Sequence, residues 1–204
     1  MAHYIYDRSE DVNEPLLVPG KITGYRLWAP HVTALEHSMK DKKDWKNIPW
    51  GSGSYLYSMN KHVKWKVEKV EAKCQLCRPK KKYIKNSIFN EHYETPHRPC
   101  QCGLYAKYSL DSLRRDMYGS EDIYIIGSIT GWGKTILART GFRCQYARVT
   151  SLLVNDKYSY SYMKYIGSHY NVPIFQHEGD LVSAFPPSNL SALGINPLFY
   201  IYGI

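Results

Sequence analysis

Apolar and polar residues alternate in several short stretches of this chain, and that period of two is its strongest structural signal. Residues 22–28 (Ile-Thr-Gly-Tyr-Arg-Leu-Trp) alternate and carry aromatics, which predicts a strand. Pro30 ends it, because proline cannot donate to a ladder. Tyr55, Leu56 and Tyr57 predict a short strand. Residues 63–70 give the clearest alternation: Val63, Trp65 and Val67 share one face, with Lys64, Lys66 and Glu68 on the other, although Val70 breaks the register. Residues 123–129, 135–138 and 142–149 predict three strands of an antiparallel meander. Gly131-Trp132-Gly133 reads as a tight turn or bulge, Gly141 turns the chain, and residues 172–175 predict one more short strand.

Helical spacing is confined to two places. Over residues 109–118, Ser109 is placed as N-cap, Leu110, Leu113 and Met117 share a face, and Gly119 stops the helix. Over residues 156–170, capped by Asn155 or Asp156, the residues Tyr158, Tyr162, Tyr165, Ile166 and His169 recur at helical intervals. Asn171 and Pro173 terminate that helix. The remaining segments are polar. Residues 1–20 are acidic and end in Pro19-Gly20, as an arm or edge element; residues 37–54 form a loop closing in Gly51-Ser-Gly53-Ser; a tail from 176 carries Pro186, Pro187 and Pro197. The expectation is a strand-dominated α+β domain over 21–175, with about two helices on the sheet, an N-terminal arm (1–20) and a C-terminal tail (176–204).

Composition adds to this picture in three ways. At 204 residues a single core can form without disulfide staples. The chain has 19 tyrosines against 5 Phe and 5 Trp, and tyrosine suits strand faces and half-wet surfaces. The net charge of +9 points to acidic partners, nucleic acid first or an acidic protein. Residues 1–20 hold Asp7, Arg8, Glu10, Asp11 and Glu14 without an apolar stretch, so no secretory leader is expected there. No run approaches eighteen apolar residues. A cytoplasmic location follows as the expectation, and five cysteines in such a setting favour metal over disulfides.

Four of those cysteines fall in two pairs, Cys74-x2-Cys77 and Cys100-x-Cys102, with His92 and His97 just ahead of the second. Structural zinc takes four Cys or His ligands in a tetrahedron, and a close pair presents two of them from one turn. Gly103 gives the chain latitude to turn after the second pair, while Pro96 and Pro99 stiffen its approach. Two ligand sets satisfy a structural Zn2+: the four cysteines, or one of Cys74 and Cys77, one of His92 and His97, and both Cys100 and Cys102. Glu91 and Glu94 beside His92 raise the thought of a deaminase or hydrolase. The His-x-Glu followed by Pro-Cys-x-x-Cys pattern is not met, since the order is Pro99-Cys100-x-Cys102 and Glu94 lies only six residues before Cys100.

Other catalytic signatures are missing from the sequence. Gly-x4-Gly-Lys-Ser/Thr fails by one position at Gly133-Lys134-Thr135, because Ser128 stands where the first glycine is required. There is no Gly-x-Ser-x-Gly elbow. Cys144, inside an alternating strand, reads as a buried inert thiol. The basic segment is more informative: residues 61–85 hold ten Lys/Arg against Glu68 and Glu71. Lysines there interleave with Trp65 and Tyr83, a mixture in which cations hold phosphates and rings stack on bases. The candidate nucleic-acid contacts are Lys64, Trp65, Lys66, Arg78, Lys80, Lys81, Lys82, Tyr83 and Lys85.

Several of these segments also occur together in a familiar order: Ile22-Thr-Gly24-Tyr25-Arg26-Leu-Trp28, Ala72-Lys-Cys74, Pro96-His97-x-x-Cys100-x-Cys102-Gly103-Leu-Tyr105-Ala106, Gly127 to Gly133, and Gly141-Phe-Arg143-x-x-Tyr-Ala147. The set resembles a group of small uncharacterised bacterial and phage proteins, over about residues 22–175. The resemblance implies one continuous domain and a site of Cys74, a histidine, Cys100 and Cys102; Cys77 and the lysine loop depart from its pattern. It implies no activity. The leading expectation is a non-enzymatic, zinc-stabilised module that contacts nucleic acid. The alternatives are a protein-interaction factor of phage or bacterial origin, using the Tyr-rich helix and apolar C-terminus, and, third, a zinc hydrolase or deaminase.

Overall fold

The computed structural model describes residues 16–17, 20–30, 55–58, 63–74, 95–97, 100, 102–115, 124–154, 158 and 160–191. In chain order the strands are β1 (Leu16–Leu17), β2 (Ile22–Pro30), β3 (Leu56–Tyr57), β4 (Val70–Glu71), β5 (Leu104–Lys107), β6 (Ile125–Leu137), β7 (Gly141–Leu153) and β8 (Ile174–Phe175). The helices are α1 (Leu110–Arg115), α2 (Tyr160–Tyr170) and α3 (Glu178–Ala184). The domain is strand-dominated α+β, as the alternation predicts.

The two longest strands, β6 and β7, pair antiparallel around a turn at Arg139 and Thr140. β2 lies on the other side of β6, in register from Ile22↔Gly131 to Trp28↔Ile125. β5 pairs with β7 from Leu104↔Cys144 to Lys107↔Gly141 and meets β2 at Tyr25↔Lys107. The pairings β2–β6–β7–β5–β2 therefore close into a ring of four strands. A ring this small leaves little room inside. A Cβ added at Gly131 would sit 2.6 Å from Cys144 Sγ and 2.8 Å from the Phe142 ring. Glycine inside a strand here marks a close approach rather than a turn.

β2 is covered on both faces, and its alternation divides two cores. Ile22 and Trp28 join Trp65, Ile129, Phe142, Met163, Ile166 and Tyr170 on one side, under α2. Tyr25 and Leu27 join Leu110, Leu113, Leu153 and Leu181 on the other, under α1 and α3. Trp28 and Trp65 meet edge to face, 5.4 Å between ring centroids. The Tyr170 hydroxyl accepts from Leu56 N and donates to Trp65 O, each at 2.8 Å, which ties β3 and the segment after it to α2.

Three expectations change. Residues 125–137 are one strand rather than two around a turn, because Trp132 to Thr135 form a bulge within the β6–β7 ladder. Residues 63–69 are not a strand: a single bridge joins Lys64 to Tyr57, and Val67 is exposed whereas Trp65 and Val70 are buried. The break at Val70 reflects this, since pairing with β7 begins only at Val70↔Ala147. The stretch from 176 is part of the domain as far as 191. α3 buries Leu181, Tyr25 Oη donates to Phe185 O at 3.0 Å, and Ser188 N donates to Thr23 O at 3.1 Å. With α3 the described residues contain three helices, in keeping with a strand-dominated α+β domain with about two helices expected. The expected helix at 156–170 starts at Tyr160 and ends where Asn171 takes φ 52°. Ser109 caps α1 as expected, its Oγ accepting from Ser112 N at 3.1 Å. Residues 1–15 and the 37–54 loop lie outside the described residues. No helix among those described is long and apolar enough to cross a membrane.

Candidate metal centre

β7 assembles the site. β4 and β5 both pair with it, at Val70↔Ala147 and Leu104↔Cys144, so the end of β4 meets the start of β5 along one edge of β7. Cys74 lies just past β4, and Cys100 and Cys102 lie just before β5. Ala72 N donates to Gln145 O at 2.7 Å, and Thr95 Oγ1 donates to Ala72 O at 2.6 Å, fastening the two approaches to β7 and to each other. Cys100 N donates to His97 O at 3.1 Å, which closes a tight turn. Gly103 follows at φ 132°, a backbone conformation that residues with a Cβ rarely adopt.

Cys74, Cys100 and Cys102 converge as a result. Their Sγ atoms all lie within 4.8 Å of one another, and the three residues are buried. Cys74 Sγ and Cys100 Sγ stand 3.5 Å apart, and no disulfide joins the described cysteines. Four thiolates at the usual zinc–sulfur distance of about 2.3 Å sit about 3.8 Å from each other. The donor set thus fits a thiophilic metal. His97 N–H donates to Cys102 Sγ at 3.2 Å, a bond that favours thiolate. Burial dominates even so. It pushes the Cys102 thiol up to about 12, the His97 N–H opposes this, and Cys100 and Cys74 raise it further. A divalent cation bound among these sulfurs would favour the thiolate form of its ligands.

Among the described residues the cluster consists of sulfur alone. His97 meets it through its backbone. Cys77, His92, Glu91 and Glu94 lie outside the described residues. Cys144 is separate and fully buried; its Sγ donates to Leu104 O at 3.4 Å, and burial raises the thiol to about 12 while Arg26 pulls it down. Its burial in the core is what its place in the alternation predicts.

Arg143 stands in the motif that carries the resemblance but was given no role at the site, and it sits directly beneath the Cys100–Cys102 turn. It is 2% exposed, and one of its Nη atoms donates to His97 O at 3.2 Å, to Cys102 O at 3.1 Å and to Cys100 O. The available signal was a charged residue flanked by the buried Phe142 and Cys144 near the start of a long strand.

The basic segment divides. Lys64, Lys66, Lys69 and Lys73 are exposed on the stretch leading to Cys74. Trp65 is not an outward ring. It is 0% exposed, its Nε1 donates to Ser58 Oγ at 3.1 Å and Arg26 covers its face at 4.8 Å, so no base can stack on it. Half-buried tyrosines lie beside the lysines instead. Lys64 Nζ is 3.2 Å from the Tyr55 ring centroid, and Lys69 Nζ is 4.8 Å from that of Tyr146, which stacks on Trp132 at 6.1 Å. Tyr55, Trp132 and Tyr146 come from separate segments, so their closeness to these lysines was not legible in the sequence. Arg78, Lys80, Lys81, Lys82, Tyr83 and Lys85 lie outside the described residues. Comparison of the chain with protein-family models, with curated proteins and with solved structures finds no match.

Proposed function

We propose that this chain is a non-enzymatic binding module in which a structural zinc, held by Cys74, Cys100, Cys102 and Cys77, shapes a basic segment that contacts nucleic acid. The convergence of three buried sulfurs carries the metal part of this reading. Cys77 is the fourth ligand because the x2 spacing returns it to the ion that Cys74 holds, and because the described ligands are all sulfur. Zinc is redox-inert and would cross-link the end of β4 to the start of β5. The sequence between Cys74 and Cys100 carries Arg78, Lys80, Lys81, Lys82 and Lys85.

Support for nucleic acid comes from charge and its placement. Residues 61–85 hold ten cationic side chains against two acidic ones, and the four described lysines from 64 to 73 are exposed. Such a surface displaces counterions from phosphates. The test is fluorescence anisotropy with single-stranded and duplex DNA and RNA from 50 to 200 mM salt. The expected result is binding that weakens steeply with salt, with a smaller salt slope for Lys66→Ala. Binding that is absent, or indifferent to salt, contradicts the nucleic-acid part. Cys77→Ser should lose metal while His92→Ala and His97→Ala keep it; the opposite pattern assigns the fourth position to a histidine.

A further inference from the structure

We infer that Arg143 is the positioning residue of the metal centre, the group that orders the Cys100–Cys102 turn and sets its affinity for the ion. The inference rests on the metal reading above.

The carbonyls of His97, Cys100 and Cys102 all turn inward onto one Nη of Arg143. Three carbonyl oxygens aimed at one point repel each other, and this point is buried. A fixed cation reverses the sign of that interaction. With the carbonyls held inward, the ligand turn keeps the geometry in which His97 N–H donates to Cys102 Sγ. One side of the turn faces the guanidinium and the other faces sulfur. Gly103 belongs to the same device. A Cβ there would lie 3.1 Å from Arg143 Cβ and 3.6 Å from its Cδ, so the missing side chain leaves the arginine its path to the turn. β7 thereby reaches the metal ligands in two ways, by pairing with both flanking strands and by inserting this side chain. A metal held by thiolates alone is also net negative, and a guanidinium beneath the same turn offsets that charge.

The experiment measures Zn2+ affinity of the full chain by competition with a chromogenic chelator, together with the ligand-field and thiolate charge-transfer bands of the Co2+ form. Partners of this kind are worth about 10–100-fold in metal affinity. Arg143→Met is expected to lose affinity in that range and to alter the Co2+ bands, while far-UV circular dichroism at saturating zinc stays that of the wild type. Arg143→Lys keeps the charge but not the planar fork, and is expected to fall between the two. Should Arg143→Met fail to fold, Arg143→Lys decides: weaker binding than wild type supports the role, and equal binding overturns it. Wild-type affinity and bands in Arg143→Met overturn it as well. A wild-type chain that binds neither Zn2+ nor Co2+ overturns the metal reading and this inference together, an outcome distinct from variants that bind normally.

Discussion

At the scale of single residues, burial separates groups that lie next to each other in the sequence. Trp65 stands between two exposed lysines, yet its ring packs on Trp28 and its indole N–H is held by Ser58. Trp65→Ala should cost about 3–5 kcal/mol in chemical denaturation. Nucleic-acid affinity of the folded fraction should be unchanged, and a selective loss of affinity at full stability would return Trp65 to the interface. Cys144 offers a pH test. Its thiol is raised from 9.0 to about 12, so the folded state holds that proton more tightly than the unfolded chain does. The contribution is complete below pH 9 and is lost as pH rises toward 12. Stability of Cys144→Ala relative to wild type should therefore improve over that window in urea titrations; a difference that does not vary with pH would place the thiol in water. The closeness of Cys100 and Cys102 was legible because their spacing is local to the chain. Arg143 was not, because the carbonyls it binds are 41 to 46 positions away and only strand pairing brings them near. Alternation correctly set Trp65 opposite Lys64 and Lys66, but it could not say that Trp65 would be covered completely while Val67 stays exposed.

At the scale of elements, the β6–β7 hairpin organises the rest. Its length let the alternation show through, whereas its bulge at Trp132 to Thr135 imitates a turn in the sequence, with two glycines around a tryptophan. Gly131 answers to packing instead, since its Cβ would enter the space of Cys144 and Phe142. Gly131→Ala should destabilise the domain by about 1–3 kcal/mol, the range for overpacking a filled core, as read from a denaturant midpoint. An unchanged midpoint would mean that the four-strand ring is looser than its pairings imply. α3 shows the opposite failure of pattern. Residues 178–184 place a single leucine inward, which is too little for a helical period, and tertiary contact decides the matter. The helix is fastened by an Arg114–Glu178 ion pair to α1 and by Ser188 to β2. Leu181→Ala should cost about 2–5 kcal/mol, and a loss below about 0.5 kcal/mol, the level of surface substitutions, would return α3 to the status of a tail.

For the whole molecule, a small closed ring of strands carries two cores and, at one end of β7, a cluster of buried thiols. The chain's positive charge is concentrated on the segment that the cluster interrupts: residues 61–85 alone carry a net +8 of the total +9. Fold and basic patch meet at Cys74, where exposed lysines give way to a buried sulfur. Metal removal should therefore act on both properties, lowering thermal stability and weakening nucleic-acid binding. The most direct measurement is zinc content per chain by elemental analysis, before and after a strong chelator, beside the same assay on Cys100→Ser. One zinc per wild-type chain, lost in the variant, with a lower melting temperature after chelation, is the predicted result. A wild-type chain that carries no zinc, takes up none when it is supplied, and melts at the same temperature with and without chelator would contradict the account.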